Sequence, residues 1–202
     1  MAELLAPSLR FYNRTKANHP GAKISLLFSD HGHQRGQNKA ADTALRRQRV
    51  QAFFDHYLLG AGAEPEVGVE AIEQVCGAPS GPSHTAATWK DIAPGEIRFR
   101  SDPPQLIAPA AGDPSVNRAY DPIGGGGACA TASATDVPGL ASYRLPAAPA
   151  GGYTLMGSPT IVADVLSPAP HSQIAARLID VDPATGNGTL VARGLYRADS
   201  TG

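Results

Sequence analysis

The chain has 202 residues, 42% of them apolar, with 17 basic against 18 acidic side chains and a net charge of −1. That is the composition of a folded globular chain, long enough for one domain or for one domain and a piece of another. It excludes a disordered tail and a strongly basic nucleic-acid binder, and no window approaches the roughly 18 apolar residues that would cross a bilayer.

The first 60 residues read as helix, strand, loop, helix. Leu5, Leu9 and Tyr12 recur at helical spacing, and Asn18-His19-Pro20-Gly21 stops the first helix. Ile24-Ser25-Leu26-Leu27-Phe28 is a short, nearly continuous apolar run, the pattern of a strand buried on both faces of a parallel sheet. Ser29 to Lys39 is a polar, glycine-containing loop, and Asn38 is the expected cap of the next helix. Val50, Phe53, Phe54, Tyr57 and Leu58 then predict a buried helix face, with Gly60 at its C-terminal cap. Arg46, Arg47 and Arg49 sit on that helix and read as a solvated face rather than a phosphate track.

Beyond Gly60 the texture changes, and no strong helix signal follows. Gly60 to Pro65 reads as a linker, and Val67 to Cys76 alternates like a strand. Residues 77–151 are rich in Pro, Gly, Ala and Ser, with strand-like islands at Glu96–Arg100 and Ala141–Leu145. Thr160–Val165, Gln173–Val181 and Leu190–Arg197 predict three strands, the last two joined by a turn at Asp182–Gly188. A helix-rich start and a strand-rich remainder predict two domains, 1–60 and 61–202. Cys76 and Cys129 form no C-x-x-C motif and are expected to be reduced thiols. Met1 to Arg10 lacks the basic-then-apolar order of a signal peptide, which sets a cytoplasmic expectation.

Ser29-Asp30-His31-Gly32-His33-Gln34-Arg35-Gly36 carries the chemistry. It follows a buried strand and precedes a helix, the place where functional loops lie in open α/β sheets. Imidazole titrates near neutral pH, so a histidine there suits general-base work. A zinc reading needs more ligands than Asp30, His31 and His33; His19, His56 and His84 would have to converge by folding. Gly124-Gly125-Gly126-Gly127 lacks the Lys-Ser/Thr of a P-loop and reads as a loop. Trp89 reads as a packing anchor rather than a ligand platform.

Leu9-Arg10-Phe11-Tyr12-Asn13-Arg14, Pro20-Gly21-Ala22, Ser25–Phe28 with Gly32-His33, and Phe54-Asp55-His56-Tyr57-Leu58-Leu59-Gly60 together resemble the end of a serine α/β-hydrolase domain. The resemblance is to the X-Pro dipeptidyl-peptidase and cocaine-esterase family. Downstream, Leu155–Thr160, Ala175–Pro183 and Val191–Arg197 resemble the opening of that family's C-terminal jelly-roll domain. The implied fold is the last helix-strand-loop-helix of a hydrolase sheet followed by an incomplete jelly-roll β-sandwich.

The resemblance implies that His33 is the catalytic general base, with His31 the second choice. It implies hydrolysis of a peptide or ester through an acyl-enzyme, with no cofactor, no metal, no nucleic acid and no membrane. The sequence departs from the family in holding no Gly-x-Ser-x-Gly elbow; Gly77-Ala78-Pro79-Ser80-Gly81 has the wrong spacing. The orienting acid is expected upstream, and Glu3 matches it poorly. A jelly roll has about eight strands, more than this sequence offers. The chain alone is therefore expected to be inactive and to need a hydrolase core, encoded with it or separately. The rival reading is a non-catalytic β-sandwich binding module.

Overall fold

The computed structural model describes residues 2–30, 39–101, 103–109, 111–121, 129–157 and 159–199. It has mixed α/β content with two three-stranded sheets, neither closed into a barrel among the described residues. Two compact units emerge. One comprises Leu4–Ile97 with Ala148–Gly157; the other comprises Met1–Glu3, Arg98–Ala147 and Ser158–Gly202. Residues 61–97 thus belong with the helix-rich start of the chain, and the texture change at Gly60 is not the break between units.

In the first unit, α1 (Ala2–Asn18) buries Tyr12, whose hydroxyl donates to the Ala87 carbonyl at 3.4 Å. The strand β1 (Leu26–Phe28) precedes α2 (Ala40–Leu59). Gly60 ends α2 at φ 64°, in the left-handed region that spares glycine a Cβ clash, and its N–H bonds to the His56 carbonyl. The strand β2 (Val69–Ile72) then pairs parallel to β1, Leu26 opposite Val69 and Phe28 opposite Ala71. Strand, helix and parallel strand make a βαβ unit, the only short route between adjacent parallel strands. The strand β3 (Ser83–Ala86) closes the sheet antiparallel to β2, in the order β1-β2-β3, and leads into the short helix α3 (Trp89–Ile92). Val69 and Ala71 point to the core, while Glu70 takes a two-pronged bond from Arg49 at 2.8 and 3.1 Å. Arg49 therefore ties α2 to the sheet while staying exposed, as Arg46 and Arg47 do, in keeping with the solvated face expected of all three.

In the second unit, α4 (Pro114–Ala119) is capped by Asp113, whose carboxylate accepts the Ser115 N–H at 2.7 Å. The strands β4 (Thr131–Ser133), β5 (His171–Val181) and β6 (Asn187–Asp199) form an antiparallel sheet in the order β4-β6-β5. The β5–β6 turn is held by Asp182, which accepts from the Ala184 N–H and the Thr185 hydroxyl, with Gly186 at φ 70°. Tyr120, at the end of α4, is 2% exposed and donates to the Gly188 carbonyl at 2.7 Å. Burial raises its pKa, which keeps the phenol a donor. Register sets Arg177 directly opposite Arg193, a like-charge pair that would repel. Tyr120 relieves it: Arg193 donates to its carbonyl at 2.9 Å, and Arg177 lies over its ring at 5.5 Å while bonding Asn117.

Several expectations are corrected. Glu96–Arg100, Ala141–Leu145 and Thr160–Val165 are not strands, because no neighbouring strand pairs with them. The strand expected over Val67–Cys76 contracts to Val69–Ile72, which pairs with β3 throughout and with β1 over Val69–Ala71. Lys39 precedes α2 without a side-chain cap bond; Asn38 lies outside the described residues. The apolar stripe of α2 is not buried, since Val50, Phe54 and Leu58 are all exposed. Two short helices, α3 and α4, follow Gly60, too short to show a helical period. Neither cysteine is a free thiol: Cys76 and Cys129 are both disulfide-bonded. No described helix is long and apolar enough to cross a membrane.

Candidate active site

The segment that the sequence singles out follows the carboxyl end of β1. His31 and His33 lie outside the described residues, as do the other residues of 31–38. The two ends of that segment are described, and both are fixed. The Lys39 N–H donates to the Asp30 carbonyl at 3.2 Å, joining the ends to each other. The Lys39 ammonium reaches across to the Val75 carbonyl at 2.6 Å.

The hub of this stem is Asp42, in the first turn of α2 and 1% exposed. One carboxylate oxygen accepts the Asp30 N–H at 2.8 Å, and the other accepts the Ser80 hydroxyl at 2.5 Å. A carboxylate taken out of water costs several kcal/mol in its ionised form unless hydrogen bonds offset the loss. Here two bonds do so, and the amino-terminal end of α2 adds the favourable end of a helix dipole. Asp42 takes the third helical position, from which an acidic side chain ordinarily reaches back to the cap residue. It reaches instead to the strand end, joining β1, α2 and the 77–81 turn.

Ser80 belongs to the segment that superficially resembles a nucleophile elbow, and its hydroxyl is committed to Asp42. Gly81 beside it admits no side chain, because a Cβ there would stand 2.3 Å from the Glu73 carbonyl oxygen. A second cluster lies on β3. His84 Nε2 meets Glu73 Oε1 at 2.6 Å, and the Thr154 hydroxyl donates to the same oxygen at 3.4 Å. Both side chains of the pair are partly exposed, so it is a surface ion pair whenever His84 is protonated.

The other sequence candidates resolve differently. Trp89 packs edge-on against Phe28, ring centroids 5.0 Å apart, as a packing anchor should. Among the described residues no group of three His, Cys, Asp or Glu side chains could hold a metal, and the zinc reading through His31 and His33 falls outside those residues. Gly124-Gly125-Gly126-Gly127 and the Glu3 side chain lie outside the described part of the structure. Sequence reasoning missed Asp42 and the His84–Glu73 pair. An acidic residue in the first turn of a helix was the one available signal for Asp42.

No protein-family model, curated protein or solved structure matches this chain.

Proposed function

We propose that the chain is the C-terminal part of a serine α/β-hydrolase similar to the X-Pro dipeptidyl-peptidases and cocaine esterases, and that His33 is its general base. One observation carries the reading. The His31–His33 segment follows the carboxyl end of the first strand of a βαβ unit, where a buried carboxylate of the next helix accepts the Asp30 N–H and the Lys39 N–H donates to the Asp30 carbonyl. Open α/β folds bind and transform substrates at that end of the sheet.

In the proposed reaction the imidazole of His33 takes the proton of a serine hydroxyl supplied by the hydrolase core. The serine oxygen attacks the carbonyl carbon of a peptide or ester, and the proton passes on to the departing amine or alcohol. Water then cleaves the acyl-enzyme by the same base. The second unit, Arg98–Ala147 with Ser158–Gly202, would contribute the jelly-roll side of the substrate entrance. Without the core there is no nucleophile for the histidine to activate, and loss of a nucleophile costs on the order of 10⁶-fold in kcat in a well-measured triad.

The test is hydrolysis of a p-nitrophenyl ester and an Ala-Pro p-nitroanilide, first by the purified chain and then with a family hydrolase core that stops before its own histidine segment. The chain alone should not turn over. Mixing should restore hydrolysis, and His33→Ala should remove it. Turnover by the chain alone that survives His33→Ala would overturn the proposal.

The compartment has its own test. Disulfides persist in oxidising environments and are reduced in the cytosol, so the bonded cysteines favour an oxidising setting over the cytoplasmic one. Alkylation of the denatured, unreduced protein should label neither Cys76 nor Cys129; two labelled thiols would restore the cytoplasmic expectation.

A further inference from the structure

The turn between β2 and β3 supplies two of the bonds that hold Lys39 and Asp42. The Val75 carbonyl accepts the Lys39 ammonium at 2.6 Å, and the Ser80 hydroxyl donates to the Asp42 carboxylate at 2.5 Å. The base of the turn is fixed. The Glu73 N–H donates to the Pro82 carbonyl at 3.0 Å, and Gly81 packs too close to Glu73 to admit a Cβ. Residues 74–80 hang from that base outside the β2–β3 ladder, with Gly77 at φ 76°. A segment of this kind keeps two bonds aligned only if its freedom is restricted.

Cys76 lies inside it, next to Val75 and on the path to Ser80. Cys76 and Cys129 are the two cysteines of the chain, and both are disulfide-bonded. A cross-link removes conformations from the segment that carries it. The bond at Cys76 therefore supplies the restriction that the turn needs.

The same bond has the features of a reducible one. Cys76 is exposed, so a thiol can reach it. Cys129 stands at φ 66°, and among the described residues it is the one residue other than glycine in the left-handed region. A side chain disfavours that backbone, and outliers of this kind concentrate at switches. Exposed or strained disulfides are the labile, regulatory ones.

We infer that the disulfide at Cys76 is a reducible clamp on the stem of the histidine segment. Closed, it sets the turn so that Val75 and Ser80 hold Lys39 and Asp42. Opened by a dithiol reductant, it frees the turn and loosens the stem at Asp30 and Lys39. In the exchange, one thiolate of the dithiol attacks a cysteine sulfur, forms a mixed disulfide and displaces the other cysteine as a thiolate. The second thiolate then attacks the mixed disulfide and closes the oxidised dithiol. Two electrons reach the cysteines, and the dithiol's two protons leave them as thiols. That the clamp would govern hydrolysis rests on the hydrolase reading; the release of the stem does not.

Amide exchange at Asp30 and Lys39, before and after dithiothreitol, tests it, with Val69 and Ala71 of β2 as references and alkylation to count thiols. Dithiothreitol should expose two thiols under native conditions. The Asp30 and Lys39 amides should then exchange at least about fivefold faster, while β2 keeps its protection. A protein carrying Cys76→Ser and Cys129→Ser should show the faster rate with or without dithiothreitol, which separates the clamp from the reagent. Unchanged Asp30 and Lys39 exchange in the fully reduced protein would overturn the inference. So would a disulfide that native-state dithiothreitol leaves intact, or an equal loss of protection at all four amides, since the bond would then hold the whole unit rather than the stem. The readout involves no turnover, so failure of the clamp and failure of the hydrolase reading are seen separately.

Discussion

The two units are organised around unlike centres. In the βαβ unit the buried hub is a carboxylate, Asp42, bonded to a strand end and a turn. In the β5–β6 unit it is a phenol, Tyr120, bonded to a strand carbonyl and flanked by two arginines. The aromatic hub contributes apolar burial as well as its hydrogen bond, which is a direct route to stability. The carboxylate hub contributes direction at the expense of desolvation, and it does so at a strand end, where it fixes Asp30. The difference marks one unit as built for support and the other for positioning.

The largest expected effect is at the carboxylate. Asp42→Ala leaves the Asp30 N–H and the Ser80 hydroxyl unpaired, and should lower stability to urea by about 2–4 kcal/mol. Asp42→Asn keeps one acceptor oxygen and should recover part of that loss. Equal, negligible losses in both variants would remove Asp42 as a hub.

At the aromatic centre, Gly188→Ala would drive a Cβ to 2.2 Å from a methyl of Ile179 and to 3.2 Å from the Tyr120 hydroxyl. It should cost about 1–3 kcal/mol in the same assay. Tyr120→Phe removes only the hydroxyl and should cost about 1 kcal/mol. A larger loss for Tyr120→Phe than for Gly188→Ala would place the weight on the hydrogen bond rather than on the packing.

The smallest effect concerns pH. The hydrogen-bonded Arg49 guanidinium holds the Glu70 carboxyl below its usual range. A carboxyl with a depressed folded pKa stabilises the fold above its unfolded value, and that stabilisation is lost as pH falls through the folded one. Arg49 is half exposed although Glu70 is mostly covered, so Arg49→Ala should cost about 1 kcal/mol at neutral pH. It should also flatten the acid limb of the stability curve. An unchanged acid limb would assign that limb to other carboxylates.

The parts legible in the sequence are those whose signal is local. The helical period of α1, the glycine that ends α2, the apolar run of β1 and the Asp182–Gly188 turn all announce themselves within a few residues. The strand islands at 96–100, 141–145 and 160–165 carry the right side chains, but a strand exists only with a neighbour, and composition does not show the neighbour. The exposed stripe of α2 makes the same point for a helix face. Asp42 was hidden because its partners stand 12 and 38 residues away. The bonded state of Cys76 and Cys129 was hidden too, since their spacing matches no motif. The placement of residues 29–39 between a strand and a helix was legible, since β1 and α2 flank them. What anchors it came from the structure alone.

Amide hydrogen exchange at Asp30 tests that anchoring most directly, read in the wild type and in Asp42→Ala with Val69 and Ala71 of β2 as internal references. If the Asp42 carboxylate holds the stem of the loop, the Asp30 amide is protected in the wild type. It should then exchange at least about tenfold faster in the variant, while β2 keeps its protection. An Asp30 amide that exchanges at the same rate in both proteins would contradict the account.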